Sequence, residues 1–156
     1  MAYSKIVLKQ VGGSRRFQAK AAAGTILPGY LVYMTNAAAD TVAIHATASG
    51  NVCPVMVAVE DSLQGKGITD LYTSGAQVQC EILLPGDVFY GMVADGQNIA
   101  KGDLLESAGA GTLQKYTADS TGIYYPKQIV GQALEAVDMS SSAGADPSGR
   151  ICVVVG

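Results

Sequence analysis

The sequence predicts an all-β protein with little helix: a small β-barrel or β-sandwich built of short strands, with an extended N-terminal arm. Three observations carry this expectation. The chain's 19 glycines are spread along its whole length, as turns between short strands require. Apolar and polar residues alternate over short runs, most clearly in 76–84, where Val78, Cys80 and Ile82 alternate with Gln77, Gln79 and Glu81. Strand-like runs recur at roughly ten-residue spacing, and helical periodicity is nearly absent.

The elements follow in order. Residues 3–11 read as a first extended stretch, broken by Gly12-Gly13-Ser14. Residues 15–21 read as a second, with Phe17, Ala19 and Ala21 on one face. From Ile26 onward one turn pattern recurs, as Pro28-Gly29-Tyr30-Leu31-Val32, Pro85-Gly86-Asp87-Val88-Phe89 and Lys101-Gly102-Asp103-Leu104-Leu105. Pro presets φ at the first central turn position, and Gly accepts the positive φ of the second. Strands at 41–44 and 54–61 follow the first copy; strands at 112–116 and 128–135 follow the last. This parallel is either a degenerate internal duplication or the shared grammar of short strands. A single helical turn is expected around 68–72, an exposed loop over 138–149, and a last strand at 150–155.

A length of 156 residues fits one domain, organised as an arm over 1–20 and a β-rich body over 21–156. With 49% hydrophobic and 15% charged residues the chain is not disordered. With no Trp and two Phe, its core must be mainly Val, Ile, Leu and Ala. Lys5, Lys9, Arg15, Arg16 and Lys20 give the arm five of the ten basic residues and no acid, whereas 21–156 holds all thirteen acids. The three cysteines, Cys53, Cys80 and Cys152, are scattered among apolar neighbours and fit reduced core residues of a protein folded in a cytoplasm. No CxxC pair is present, which excludes zinc and redox sites of known spacing. The N-terminus lacks the apolar stretch of a signal peptide, and the apolar runs are too short to span a bilayer, so no membrane is expected as a partner.

Chemistry is sparse. The lone histidine, His45, lies on an expected strand with no nucleophile motif beside it. Gln64-Gly65-Lys66-Gly67 fails as a phosphate loop, because Glu60 stands where the first Gly belongs and Gly67 where Ser or Thr belongs. No catalytic residue, metal ligand or cofactor is expected. The basic arm could neutralise a few phosphates, yet the body is acidic and Phe17 is the only aromatic beside the cluster, so nucleic acid is not expected as a partner. The run Gly67-Ile68-Thr69-Asp70-Leu71-Tyr72-Thr73-Ser74-Gly75 resembles the nucleotide motif of trimeric dUTPases, in which an Asp orients water and a Tyr stacks under the sugar. An extra Thr69 precedes the Asp, the Asp-to-Tyr spacing is one residue short, and no Arg-Ser-Gly motif accompanies it.

A broader resemblance covers most of 26–137. The run from Pro54 to Asp70, the words Leu84-Pro85-Gly86-Asp87, and the run from Gly102 to Leu113 are similar to capsid cement (head decoration) proteins of tailed bacteriophages. The resemblance implies a mostly β, non-enzymatic virion protein made in the bacterial cytoplasm. It would sit on the outer surface of the head, as a homotrimer or alternatively a dimer, bridging major capsid protein subunits against DNA pressure. Lys5, Ile6, Val7, Leu8, Lys9, Arg15, Arg16, Phe17 and Lys20 of the arm are the expected capsid contacts. A receptor- or glycan-binding head module is the second reading, and a dUTPase-like trimeric enzyme the third.

Overall fold

The computed structural model describes residues 3–22, 24–35, 40–141 and 149–156. The expected loop at 138–149 lies largely outside the described residues. Thirteen strands are described: β1 (Val7–Lys9), β2 (Arg16–Ala21), β3 (Val32–Met34), β4 (Thr41–Ile44), β5 (Val55–Ala58), β6 (Gln77–Leu83), β7 (Val88–Met92), β8 (Asn98–Ile99), β9 (Leu104–Gly109), β10 (Thr112–Lys115), β11 (Ile129–Ala133), β12 (Val137–Asp138) and β13 (Arg150–Val155). The expected all-β class is what the structure has. Helix among the described residues is confined to single 3-10 turns at Ser62–Gln64 and Pro126–Gln128. The helical turn expected at 68–72 is therefore misplaced: Tyr72 pairs as a strand with Ile26 instead, because its ring is needed in the core.

Two sheets each close almost into a barrel. The first runs β3-β4-β2-β6-β5 and closes where Leu31 pairs with Val57. The second runs β7-β13-β11-β9-β10 and closes where Val93 pairs with Leu113, with β1 added along the first half of the open edge of β7. A packed interior follows from the alternation. Ala19, Ala21, Val42, Ala58, Val78 and Cys80 fill the first barrel. Phe89, Leu105, Leu113, Val130, Ile151 and Val153 belong to the second, larger core, which continues into the seam through Leu31, Val57 and Val59. At roughly 25 cal/mol per Å² of apolar area, this burial is the main favourable term.

The barrels are two copies of one topology, so the parallel seen in the sequence is a structural repeat. In each, the first strand pairs parallel with the third (Ala21 with Val42; Val93 with Leu113). The first also pairs antiparallel with the last, matching Phe17 opposite Cys80 to Phe89 opposite Val153. The two phenylalanines of the chain thus hold one structural position. Gly29 N–H donates to Ala58 O at 2.8 Å, and Gly102 N–H to Ala133 O at 2.8 Å. His45 N–H donates to Leu31 O, and Tyr116 N–H to Leu104 O. The short pairing of Ile26 with Tyr72 has its counterpart in Ile99 with Val137. Residues 16–83 and 88–155 are called repeat 1 and repeat 2 below. The remaining copy of the turn, Pro85-Gly86, is the link between them.

Candidate functional site

The residues expected as a capsid-binding arm are built into the body. Strand β2 has β6 along one edge, with Phe17 opposite Cys80, and β4 along the end of the other. Ile6 is fully buried, and Val7, Leu8, Arg15 and Phe17 are half-buried. Over its described part the segment 3–20 packs against the body, where its apolar residues find partners within the same molecule. Lys5, Lys9, Arg16 and Lys20 remain exposed.

Three buried carboxylates hold this segment. Glu60 accepts from the Ile6 N–H at 3.0 Å. Glu81 accepts from Ser14 Oγ at 2.8 Å, Arg15 N–H at 2.9 Å and the Gln10 amide, and pairs with Arg16. Asp87 accepts from Val11 N–H at 2.6 Å and Leu84 N–H at 2.8 Å, and pairs with Arg15. Burial alone would push both Glu81 and Asp87 up. The donors outweigh it: Ser14, Arg15 N–H and Gln10 on Glu81, and Leu84 N–H, Val11 N–H and the Arg15 charge on Asp87, so both titrate below their ordinary values.

The seam between repeats carries the only histidine. His45 Nδ1 lies 2.8 Å from Ser107 Oγ, and Nε2 lies 3.1 Å from Asn51 O. The carbonyl at Nε2 selects the tautomer protonated there, so Ser107 donates to Nδ1. This serine–histidine contact was invisible in the sequence, where the two residues are far apart. Ser107 is fully buried, so no substrate reaches its hydroxyl, and the pair fastens repeat 1 to repeat 2. Arg150 does the same work. Its guanidinium donates to Pro28 O and Ile68 O, each at 2.7 Å, and lies 5.8 Å from the Tyr90 ring centroid. A Cβ at Gly29 would overlap this guanidinium, and Gly29 also holds a φ of +97°, so glycine is required there twice over.

The dUTPase-like segment has no nucleotide geometry. Asp70 is spent on the Gly67 N–H at 2.7 Å, closing a turn. Tyr72 is buried and donates its hydroxyl to Val59 O at 2.7 Å, so it cannot stack under a sugar; burial pushes its hydroxyl up to about 12. Gln64-Gly65-Lys66-Gly67 follows a 3-10 turn capped by Asp61, with Gly65 left-handed. Among the described residues no group of three or more His, Cys, Asp or Glu could hold a metal ion, and no helix is long and apolar enough to cross a membrane.

Besides single exposed residues such as Val11, Leu63, Leu71, Leu84 and Leu134, the molecule exposes consecutive apolar residues in two places. Tyr33 and Met34 on β3 are 42% and 43% exposed. On the loop between β10 and β11, Ile123, Tyr124 and Tyr125 are 51%, 62% and 42% exposed. That loop is well ordered by Asp119. Its carboxylate accepts from Thr121 Oγ at 2.6 Å, Thr121 N–H at 2.9 Å, Ile123 N–H at 3.1 Å and Tyr125 Oη at 3.0 Å. The Thr121 hydroxyl and then the Ile123 N–H hold the Asp119 carboxyl down at about 2. A hydrogen-bonded loop that displays consecutive apolar side chains is a contact surface more than a spacer.

No protein-family model matches the sequence, and no curated protein matches it. Among solved structures, the fold is similar to the head fiber gp8.5 N base of bacteriophage phi29, at a TM-score of 0.58 and 14% sequence identity, over 92% of this chain and 95% of that one. The likeness is one of fold, and it extends over both repeats.

Proposed function

We propose that this protein is a non-enzymatic structural component of a phage virion. It sits on the outer surface of the head as a homotrimer and bridges neighbouring major capsid protein subunits. The observation that carries the reading is the near-complete fold likeness to a base that is named as part of a phage head fiber. The absence of nucleotide geometry around Asp70 and Tyr72, and the burial of Ser107 beside His45, support a mechanical role.

In this proposal the capsid is met by exposed cations and not by an inserted apolar arm. Lys5, Lys9 and Arg16 stand exposed on a chain of net charge −3. Such charges set orientation and encounter rate more than affinity. The test is co-sedimentation of purified protein with expanded heads of its phage that lack it, followed by cryo-EM of the decorated heads. Saturable binding, with density on the outer surface touching two capsid subunits, is the expected result. Failure to sediment with heads at any concentration would sink the proposal.

A further inference from the structure

Repeat 1 and repeat 2 meet heterologously. Repeat 1 contributes its Gly29–Leu31 edge and its loop after β4. Leu31 N–H donates to Gly111 O at 2.8 Å, and Ser49 N–H to Ser107 O at 2.8 Å. Repeat 2 receives them with Tyr90, Met92, Glu106, Ser107, Gly111 and Arg150; Met92 N–H donates to Gly29 O, and Ser49 Oγ to Glu106 at 2.8 Å. The contacts are not reciprocated, as a two-fold would demand. Val52 N–H donates to Lys127 O at 2.9 Å, and these residues are counterparts in the two repeats. Contact between counterparts places them near a rotation axis. A heterologous contact of this kind leaves one contributing and one receiving surface unused at the ends, and repetition gives a ring if the rotation closes.

The unused surfaces follow from the strand correspondence. The contributing one is Gly102–Leu104 with the loop bearing Ile123–Tyr125. The receiving one is Gln18, Lys20, Tyr33, Met34, Asp40 and Gln77. Their chemistry has changed in step. Where Ser49 meets Glu106 and Ser107 inside the chain, the counterparts are apolar on both sides: Ile123, Tyr124 and Tyr125 on one, Tyr33 and Met34 on the other, all exposed. Where Tyr30 and Leu31 meet Tyr90, Met92, Gly111 and Arg150 inside the chain, the counterparts are Asp103 and Leu104 on one side and Gln18, Lys20, Asp40 and Gln77 on the other, all of them polar except Leu104. Solvent-facing ends would have no reason to become apolar at matched positions.

We infer that a second copy of this chain binds head to tail. The Ile123–Tyr125 loop of one copy covers Tyr33 and Met34 of the next. This names the surfaces of the homotrimer proposed above and rests on that self-association, not on head binding.

Light scattering of the full chain tests it in the absence of any head. The wild type is expected to be an oligomer that dissociates in Met34→Glu and in Tyr124→Glu, each with unchanged circular dichroism. Ile123→Lys serves as a second contributing-side variant. Mixing Met34→Glu with Tyr124→Glu should restore one intact interface and give a 1:1 dimer that grows no further. A monomeric wild type at 100 micromolar or so, an oligomer indifferent to these variants, or a mixture that stays monomeric would each overturn the inference. Co-sedimentation of the monomeric variants with heads reads the proposed function separately.

Discussion

Replacing Arg150 by Met should loosen the seam between the two repeats. The guanidinium makes two hydrogen bonds of 2.7 Å to backbone carbonyls of repeat 1, one of them buried. Hydrogen bonds to charged groups contribute about 1.5–3 kcal/mol each, and Met leaves both carbonyls without that donor. Against the loss, Met needs no desolvated charge, and burial already pushes the Arg150 guanidinium below its ordinary value. The net expected destabilisation is about 2–4 kcal/mol after that offset. For a chain of this size each kcal/mol moves Tm by about 2–4 °C, so a fall of about 5–15 °C is expected in scanning calorimetry. Arg150→Lys, whose point charge cannot span both carbonyls, should fall between the two. A Tm for Arg150→Met within about 2 °C of wild type would refute the idea that this side chain bolts the repeats together.

Glu81 and Asp87 titrate lower in the folded chain than unfolded, so the folded state binds fewer protons in acid. Their stabilisation is complete above their unfolded values, near 4, and is lost as pH falls through the depressed folded ones; urea midpoints should drop over that window, and Glu81→Gln should flatten the slope. Thiol titration of the native protein should find one fast-reacting cysteine, Cys53, because Cys80 and Cys152 are buried with thiols pushed up to about 12 and 11. Two or three fast equivalents would contradict the packing of β6 and β13.

Local grammar was readable where a strand has one wet and one dry face. The alternation of 76–84 gave β6, and the Gly29 and Gly102 turns gave the entries to β3 and β9. What sequence could not supply was anything that depends on tertiary partners. Cys53 has apolar neighbours in sequence, yet it is exposed next to Pro54, so the core role expected for it holds only for Cys80 and Cys152. The basic residues at the N-terminus stood out as a segment without acids because the counter-charges of Arg15 and Arg16, Asp87 and Glu81, lie far along the chain. His45 and Ser107 meet only because the seam brings β4 of one repeat to β9 of the other. The repeat itself was visible as a question: similar turns and strand lengths hinted at it, while the matching strand pairings that display it are spatial.

In both repeats the strand synthesised last occupies a middle place: β6 lies between β2 and β5, and β13 between β7 and β11. A ribosome therefore releases each barrel with its central stave arriving at the end. Repeat 1 has all of its strands once β6 has emerged, but β1, the first strand made, must wait for β7 before it finds a partner. Repeat 2 stays open between β7 and β11 until residues 150–155 have emerged. A chain that stops short of residue 150 lacks not a fringe but the stave that lies between β7 and β11.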